Sequence, residues 1–522
     1  MNLGRGSGTL GGAALVVGLG FVGSRLLGVV RNMVISGLFG TGPELDAYFA
    51  AFRLPDIVFQ LLAGAALASA FIPTLSSYFS TRGPEEGWRL ASAILNLTFL
   101  ATLVICGLAY LLAPWLVPLT VPGFSPAQKE LTVALTRVML LSPLLFSVSG
   151  IVSGILHVRY HFLLPAVAPM VYNLSIIAGG WLLARPLGVG SLAVGVVVGS
   201  ALYLLVQVPA LLKMGMVYRP LLSTSHPGVR EVGRLMLPRV LGLAAVQVNF
   251  LITTIFASGL ASGSLAALSY AWALMMMPLG VFGMSISTAV FPRLAEQAAV
   301  EGREVVGSTV AASLRLIIFF SLPASIGLLL LREPVVALLF QRGLFGAQST
   351  QATAWALLFY SLGLFGHSML EILTRGFYAL KDTATPLALA AVSMVVNLAL
   401  ALTLMPLLSH GGLALSLSLA TIMEAFLSLY LLQRRLVGLV DRRLMTSVAR
   451  SGVASGAMAL VLLALLQGRP GGWPVPGDAL LLVAIGVSVG SIIYLVTTYI
   501  AGSEELRVVQ AKVMARWLQV SN

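Results

Sequence analysis

A chain of 522 residues that is 58% hydrophobic and only 9% charged has too few polar side chains to cover a water-facing surface, and its mean hydropathy of +0.98 excludes a soluble globular protein. Its net charge of +13 comes without a soluble basic domain, so membrane topology and attraction to anionic lipid account for it and nucleic-acid binding is excluded. Long apolar runs with no barrel-like alternation predict an all-α polytopic membrane protein. The 53 glycines and 25 prolines fit that class, because both are common in membrane helices. The single cysteine, Cys106, has no partner for an internal disulfide.

Fourteen spans are predicted in chain order, near 9–31, 46–80, 89–117, 128–155, 161–184, 190–212, 231–259, 263–292, 307–331, 346–373, 384–408, 411–433, 445–467 and 479–502. The first runs past the length of a signal peptide to Arg25 and Arg31, so it reads as an uncleaved helix. Twenty of the 31 lysines and arginines fall at the N-terminus, in the even-numbered loops and at the C-terminus; five fall in the odd-numbered loops. That bias places both termini in the cytoplasm.

A weak internal duplication runs through the chain. FIPTLSSY at 71–78 has a counterpart in VFPRLAEQ at 290–297, each closing a long second span. HVRYHFLLP at 157–165 and ALKDTATP at 379–386 each lead through a polar turn into a fifth span. The organisation expected is two pseudo-symmetric six-helix lobes, 1–220 and 221–440, followed at 441–522 by two extra helices and a cytoplasmic tail.

The charges inside the spans are the sharpest feature. An arginine near mid-bilayer costs about 2.5–3.5 kcal/mol on insertion scales, yet 24–56, SRLLGVVRNMVISGLFGTGPELDAYFAAFRLPD, carries Arg25, Arg31 and Arg53. Helical spacing puts Asp46, Phe49, Arg53, Asp56 and Gln60 on one stripe, with Asp46 beside Arg53. Ser24 shares a face with Arg31, and Arg25 shares the adjacent face with Asn32. Two readings follow. Asp46 or Asp56 neutralises Arg53 while the other arginines snorkel to headgroups. Alternatively, the three guanidinium groups line an inward-facing cationic cavity suited to phosphate, which implies an anionic, lipid-linked substrate.

SRLLGVVRN, LFGTGPELDAYFAAFRLPD and LLAGAALASAFIPTLSSY resemble the N-terminal signature of the lipid II flippase MurJ (MviN) family, within the multidrug/oligosaccharidyl-lipid/polysaccharide exporter superfamily. The resemblance continues through ILHVRYHFLLPAVAPMVYN, YAWALMMMPLGVFGMSISTAVFPRLAE, LLFQRGLF and GFYALKDTATP. It implies export of lipid II, the undecaprenyl-diphosphate-linked peptidoglycan precursor, across the bacterial cytoplasmic membrane by alternating access. It further implies that Arg25, Arg31 and Arg53 hold the diphosphate and that the last two helices form a groove for the lipid tail. Cell-wall synthesis machinery and membrane lipids are the partners implied, with no cofactor.

The chain departs from the family pattern at several places. Asn32 and Gly64 stand where acids are usual, and Ala273 stands where a cavity arginine is usual, leaving Arg239 or Arg315 as substitutes. Thr253, Ser393 and Asn397 are uncharged equivalents of a sodium site found in some members.

No chemistry-bearing motif argues for an enzyme. The five histidines, His157, His161, His226, His367 and His410, lack metal-ligand spacing, and no P-loop is present. Glu371 and Glu424 each sit alone in a span, as proton-coupling sites or as interhelical hydrogen-bonding groups. The alternatives are a flippase for another polyprenyl-diphosphate glycan, an exporter of cationic drugs, which a basic cavity disfavours, and a non-transporting scaffold for envelope synthesis.

Overall fold

The computed structural model describes residues 6–62, 65–467 and 476–511, and no strand occurs among them. The chain forms two compact units, Met1–Ala266 and Ala267–Asn522. The first holds α1 (Gly6–Phe39), α2 (Pro43–Ala51), α3 (Arg53–Leu62), α4 (Ala65–Thr81), α5 (Gly83–Thr120), α6 (Pro126–Met139), α7 (Leu141–Val158), α8 (Leu163–Leu187), α9 (Gly190–Lys213) and α10 (Pro227–Ser258). The boundary falls in the first turn of α11 (Ser264–Pro278). The second unit continues through a π-helical turn, Leu279–Met284, into α12 (Ser285–Val300), α13 (Arg303–Leu330), α14 (Arg332–Phe340), α15 (Ala347–Ala379), α16 (Ala384–Leu408), α17 (His410–Gln433), α18 (Arg442–Gln467) and α19 (Pro476–Ile500).

Among the described residues, twelve stretches are long and apolar enough to cross a membrane, so the chain is a multi-pass membrane protein. They match the expected spans except the second and seventh. The second is divided into α2, α3 and α4; the seventh, α10, contributes the shorter apolar stretch Gln247–Ser258.

Proline explains much of how these helices join. A proline removes the N–H that would bond the carbonyl four residues back, and in an apolar surrounding that carbonyl needs another donor. Pro55 releases Ala51, whose carbonyl lies 3.5 Å from the Thr136 hydroxyl of α6. Pro114 releases Tyr110, which accepts from Arg137 Nε at 3.2 Å. Pro143 releases Met139, which accepts from Ser142 at 2.8 Å, where α6 gives way to α7. Pro323 releases Phe319, which accepts from the Tyr494 hydroxyl at 2.6 Å. All four bonds tie different helices together, and one of them accounts for Arg137, a charge inside a predicted span.

The suspected duplication has a backbone counterpart. α8 and α16 are each 25 residues long, and α9 and α17 each 24. Tyr160 before α8 and Lys381 before α16 both take φ 60°. His161 N bonds Leu156 O at 2.8 Å, and Asp382 N bonds Phe377 O at 3.0 Å, the same six-residue closure of a helix end. After the paired helices, Gly188 (φ 53°, ψ −138°) is matched by Ser409 (φ 53°, ψ −136°).

Apolar cores fill each unit. Phe71, Leu75, Leu90, Ile151 and Ile155 bind α4, α5 and α7 in the first. Leu314, Ile372, Phe377 and Leu432 bind α13, α15 and α17 in the second. A separate cluster of Phe319, Met458, Leu462 and Tyr494 attaches α18 and α19 to α13.

Candidate functional site

α1 reaches its neighbour α8 through small residues: a Cβ on Gly20 would lie 2.6 Å from that of Ala166. Asn173 of α8 donates to the carbonyls of Ser24 (3.4 Å) and Pro169 (3.0 Å), fixing α1 at the height of its arginines. Gly40, at φ 63°, then turns the chain, and Pro43 starts α2.

Within this frame the structure joins Arg31 and Arg53 in one polar cluster. Arg31 donates from Nε (3.3 Å) and a terminal nitrogen (3.2 Å) to the Asn32 amide oxygen, so the residue at the usual acid position still supplies an acceptor. Tyr172 of α8 lies within electrostatic reach of both Arg31 and Asp56. Asp56 is in turn within electrostatic reach of Arg53, with the side chains of Gln60 and Gln247 beside its carboxyl. Arg53 Nε donates to the Thr254 hydroxyl at 2.8 Å, and its guanidinium carbon stands 5.3 Å from the centre of the Phe250 ring. Phe59, Phe146, Tyr172 and Tyr203 form a chain of ring contacts at 5.2–5.4 Å beside the cluster.

Asp46 departs from the stripe reading. Helix is interrupted at Phe52, ahead of Pro55. The Asp46 carboxylate is buried and caps α11 instead: Gly263 N donates to one oxygen at 2.6 Å and Ala266 N to the other at 2.8 Å. Gly263 is at φ 89° and packs against Thr41, where a Cβ would lie 2.7 Å from the Thr41 carbonyl oxygen. The acid near Arg53 is therefore Asp56. Arg25 lies apart from the cluster contacts; it is exposed and stacks over Phe21 at 5.1 Å. No ion pair with Arg25 or Arg31 occurs among the described residues.

The proposed substitutes fare differently. Arg315 faces Asp441 at 3.8 Å and Glu505 at 3.5 Å, so its charge is balanced within the second unit. Arg239 lies on α10 with its side chain outside the described ones, and Gly64 lies outside the described residues. Thr253 donates to its own helix, to Asn249 O at 3.0 Å. Asn397 accepts from Ser416 at 2.9 Å, and Ser393 stands beside the Glu424 carboxyl of α17. Glu371 pairs with Arg375 at 2.9 Å. Among the described residues no group of three or more His, Cys, Asp or Glu could hold a metal.

Tyr172, Gln247 and Thr254 escaped the charge-based reading. Their signal was present as polar atoms within otherwise apolar spans, at APMVYN and QVNFLITT.

Comparison with known proteins agrees with this architecture. The family model described as "Lipid II flippase MurJ" matches residues 35–485. A probable lipid II flippase MurJ of Vibrio cholerae is 32% identical over 458 residues, covering 84% of this chain and 86% of the relative. That of Bdellovibrio bacteriovorus is 30% identical over 502 residues and covers 95% of each. Among solved structures, "Lipid II flippase MurJ, inward closed conformation" superposes with a TM-score of 0.80 at 24% identity, over 93% of this chain and 98% of that one. An inward-facing MATE transporter of the MOP superfamily superposes with a TM-score of 0.69 at 17% identity, over 80% of this chain and 95% of that one.

Proposed function

We infer the function from one premise: the chain belongs to the lipid II flippase MurJ family. It is a transporter that moves lipid II, with its undecaprenyl-diphosphate-linked headgroup, from the cytoplasmic to the outer leaflet of the bacterial cytoplasmic membrane. The supporting observation at the site is the linked set Arg31, Tyr172, Asp56 and Arg53, with Thr254 steering the Arg53 fork. Guanidinium groups in a low-dielectric surrounding bind phosphate oxygens through paired, charge-assisted hydrogen bonds. Asp56 lowers the cost of holding Arg53 there without the substrate; a diphosphate then supplies the negative charge that Arg31 lacks among the described side chains.

No bond is made or broken in this reading. Two lobes, 1–220 and 221–440, alternate between inward- and outward-open states, and the headgroup moves because the two states bind it differently. Residues 441–522 receive the lipid tail. Both termini lie in the cytoplasm, as the lysine and arginine bias requires, and the enzymes that consume the exported precursor are the partners on the other side.

The test is headgroup accessibility of labelled lipid II in vesicles containing the purified chain. Labelled headgroups should become accessible on the opposite face only when the chain is present, and R53A should abolish the transfer. Unchanged accessibility with the wild-type chain would leave scaffolding as the better reading.

A further inference from the structure

The first turns of α18 and the segment after α19 enclose a cleft of about 330 Å³ in the second unit. Arg442, Arg443 and Arg450 line it; the positions 442, 446 and 450, and likewise 443, 447 and 450, share one face of α18. Two acids also line it. Glu505 is buried, held by Arg315 at 3.5 Å and by the Ser503 hydroxyl at 2.8 Å, so its charge is already answered. Glu504 is exposed at the wall. Arg450 gives one nitrogen to Gly502 O at 2.8 Å. Ser447 also lines the cleft; it is 4% exposed, and its hydroxyl has no hydrogen-bond partner among the described residues. Three guanidinium groups against one exposed acid, with a buried hydroxyl at hand to donate, make a surface matched to an anion.

The setting selects the anion. A candidate span begins at Arg442 and another ends at Ile500, so the cleft stands where two spans leave the bilayer, at the level of lipid headgroups. Val453 and Leu460, exposed apolar side chains further along the same face of α18 as Arg442 and Thr446, continue inward from it, a wall for an acyl chain rather than for a free ion. We propose that this cleft binds the phosphate of an anionic phospholipid, with Arg442, Arg443 and the free nitrogens of Arg450 on the phosphate oxygens and the acyl chains along α18. The residues of this site all belong to the second unit, those of the Arg31–Arg53 cluster to the first.

The experiment is thermal unfolding of the purified full-length chain in neutral detergent, with phosphatidylglycerol, phosphatidylcholine or inorganic phosphate added. Phosphatidylglycerol should raise Tm, and the other two should not. The double variant R442Q/R443Q should lose at least half of that rise, while R230Q/R234Q, an equal charge change on exposed residues of α10, should keep it. E504Q, which removes the opposing acid, should enlarge the rise and carries the test by itself if the double variant does not fold. Equal loss in both double variants, or an undiminished rise in R442Q/R443Q, overturns the site. A rise with inorganic phosphate equal to that with phosphatidylglycerol overturns the lipid as its ligand.

Discussion

The Tyr494 hydroxyl donates to the Phe319 carbonyl at 2.6 Å because Pro323 has withdrawn the N–H that would normally fill it. Tyr494 is buried, and the bond joins α19 to α13. Tyr494→Phe leaves a buried carbonyl unsatisfied and should cost about 1–3 kcal/mol of stability. Pro323→Ala restores the helical donor, so Y494F should cost less in the P323A background. A double-mutant cycle on thermal unfolding reads the difference; equal costs in both backgrounds would refute the account.

Arg53 and Thr254 should be coupled in function. Losing the hydroxyl that orients a charged group removes about 1.5 kcal/mol, or roughly tenfold, so Thr254→Val should slow lipid II transfer by about that factor. Arg53→Lys keeps the charge but not the fork and should retain only part of the activity. Arg53→Ala should fail to complement cells depleted of their own flippase. Transfer rates in vesicles and colony formation are the measurements.

Asp46 should behave as a helix cap and not as a counter-ion. Asp46→Ala strands the N–H groups of Gly263 and Ala266 and should destabilise the chain by about 1–3 kcal/mol. Asp46→Asn keeps one acceptor oxygen and should fall between the two. If instead Asp46→Asn matched Asp46→Ala in thermal unfolding, charge and not hydrogen bonding would be the property that matters.

Ser409 occupies φ 53° and ψ −136°, a region that glycine alone enters freely, and glycine stands at the matching place, Gly188. Ser409→Gly should therefore raise stability by up to about 1 kcal/mol, despite the added chain entropy of glycine. Gly188→Ala should lower it. Thermal midpoints of the two variants should move in opposite directions.

Asp382 gives a pH dependence outside the spans. Burial opposes its carboxylate, but the Thr385 hydroxyl and N–H together with the Arg435 guanidinium outweigh burial and hold its pKa below the ordinary 3.8. The unfolded chain then binds the proton more readily, so the stabilisation is fully present above the unfolded pKa and fades as pH falls through the folded one. Asp382→Asn should lower Tm at pH 7, and the gap to wild type should close below about pH 4.

Most of the crossings were legible because a bilayer imposes a length and a polarity on each one, and the matched turns at Tyr160 and Lys381 were visible as HVRYHFLLP and ALKDTATP. Arg31 and Arg53 were legible because a charge in an apolar run stands out. Their companions were not. Tyr172 reads as apolar in a hydropathy pattern, and its approach to both Arg31 and Asp56 depends on α8 packing against its neighbours. The stripe from Asp46 to Gln60 assumed an unbroken helix, which Pro55 interrupts at Phe52. The true partners of Asp46 lie more than two hundred residues along the chain, at Gly263 and Ala266. Arg315 looked unclaimed for the same reason: Asp441 and Glu505 reach it only after two further helices have folded against α13.

The break at Phe52 matters for motion. A straight helix must rupture an internal bond to bend sharply, which in lipid is costly. The second span has already surrendered that bond at Pro55, and Thr136 stands 3.5 Å from the released carbonyl. Arg53 and Asp56 both follow the break, in α3, while Asp46 anchors α2 before it. Bending at that point would carry Arg53 and Asp56 together, while the Asp46 end stays tied to the start of α11.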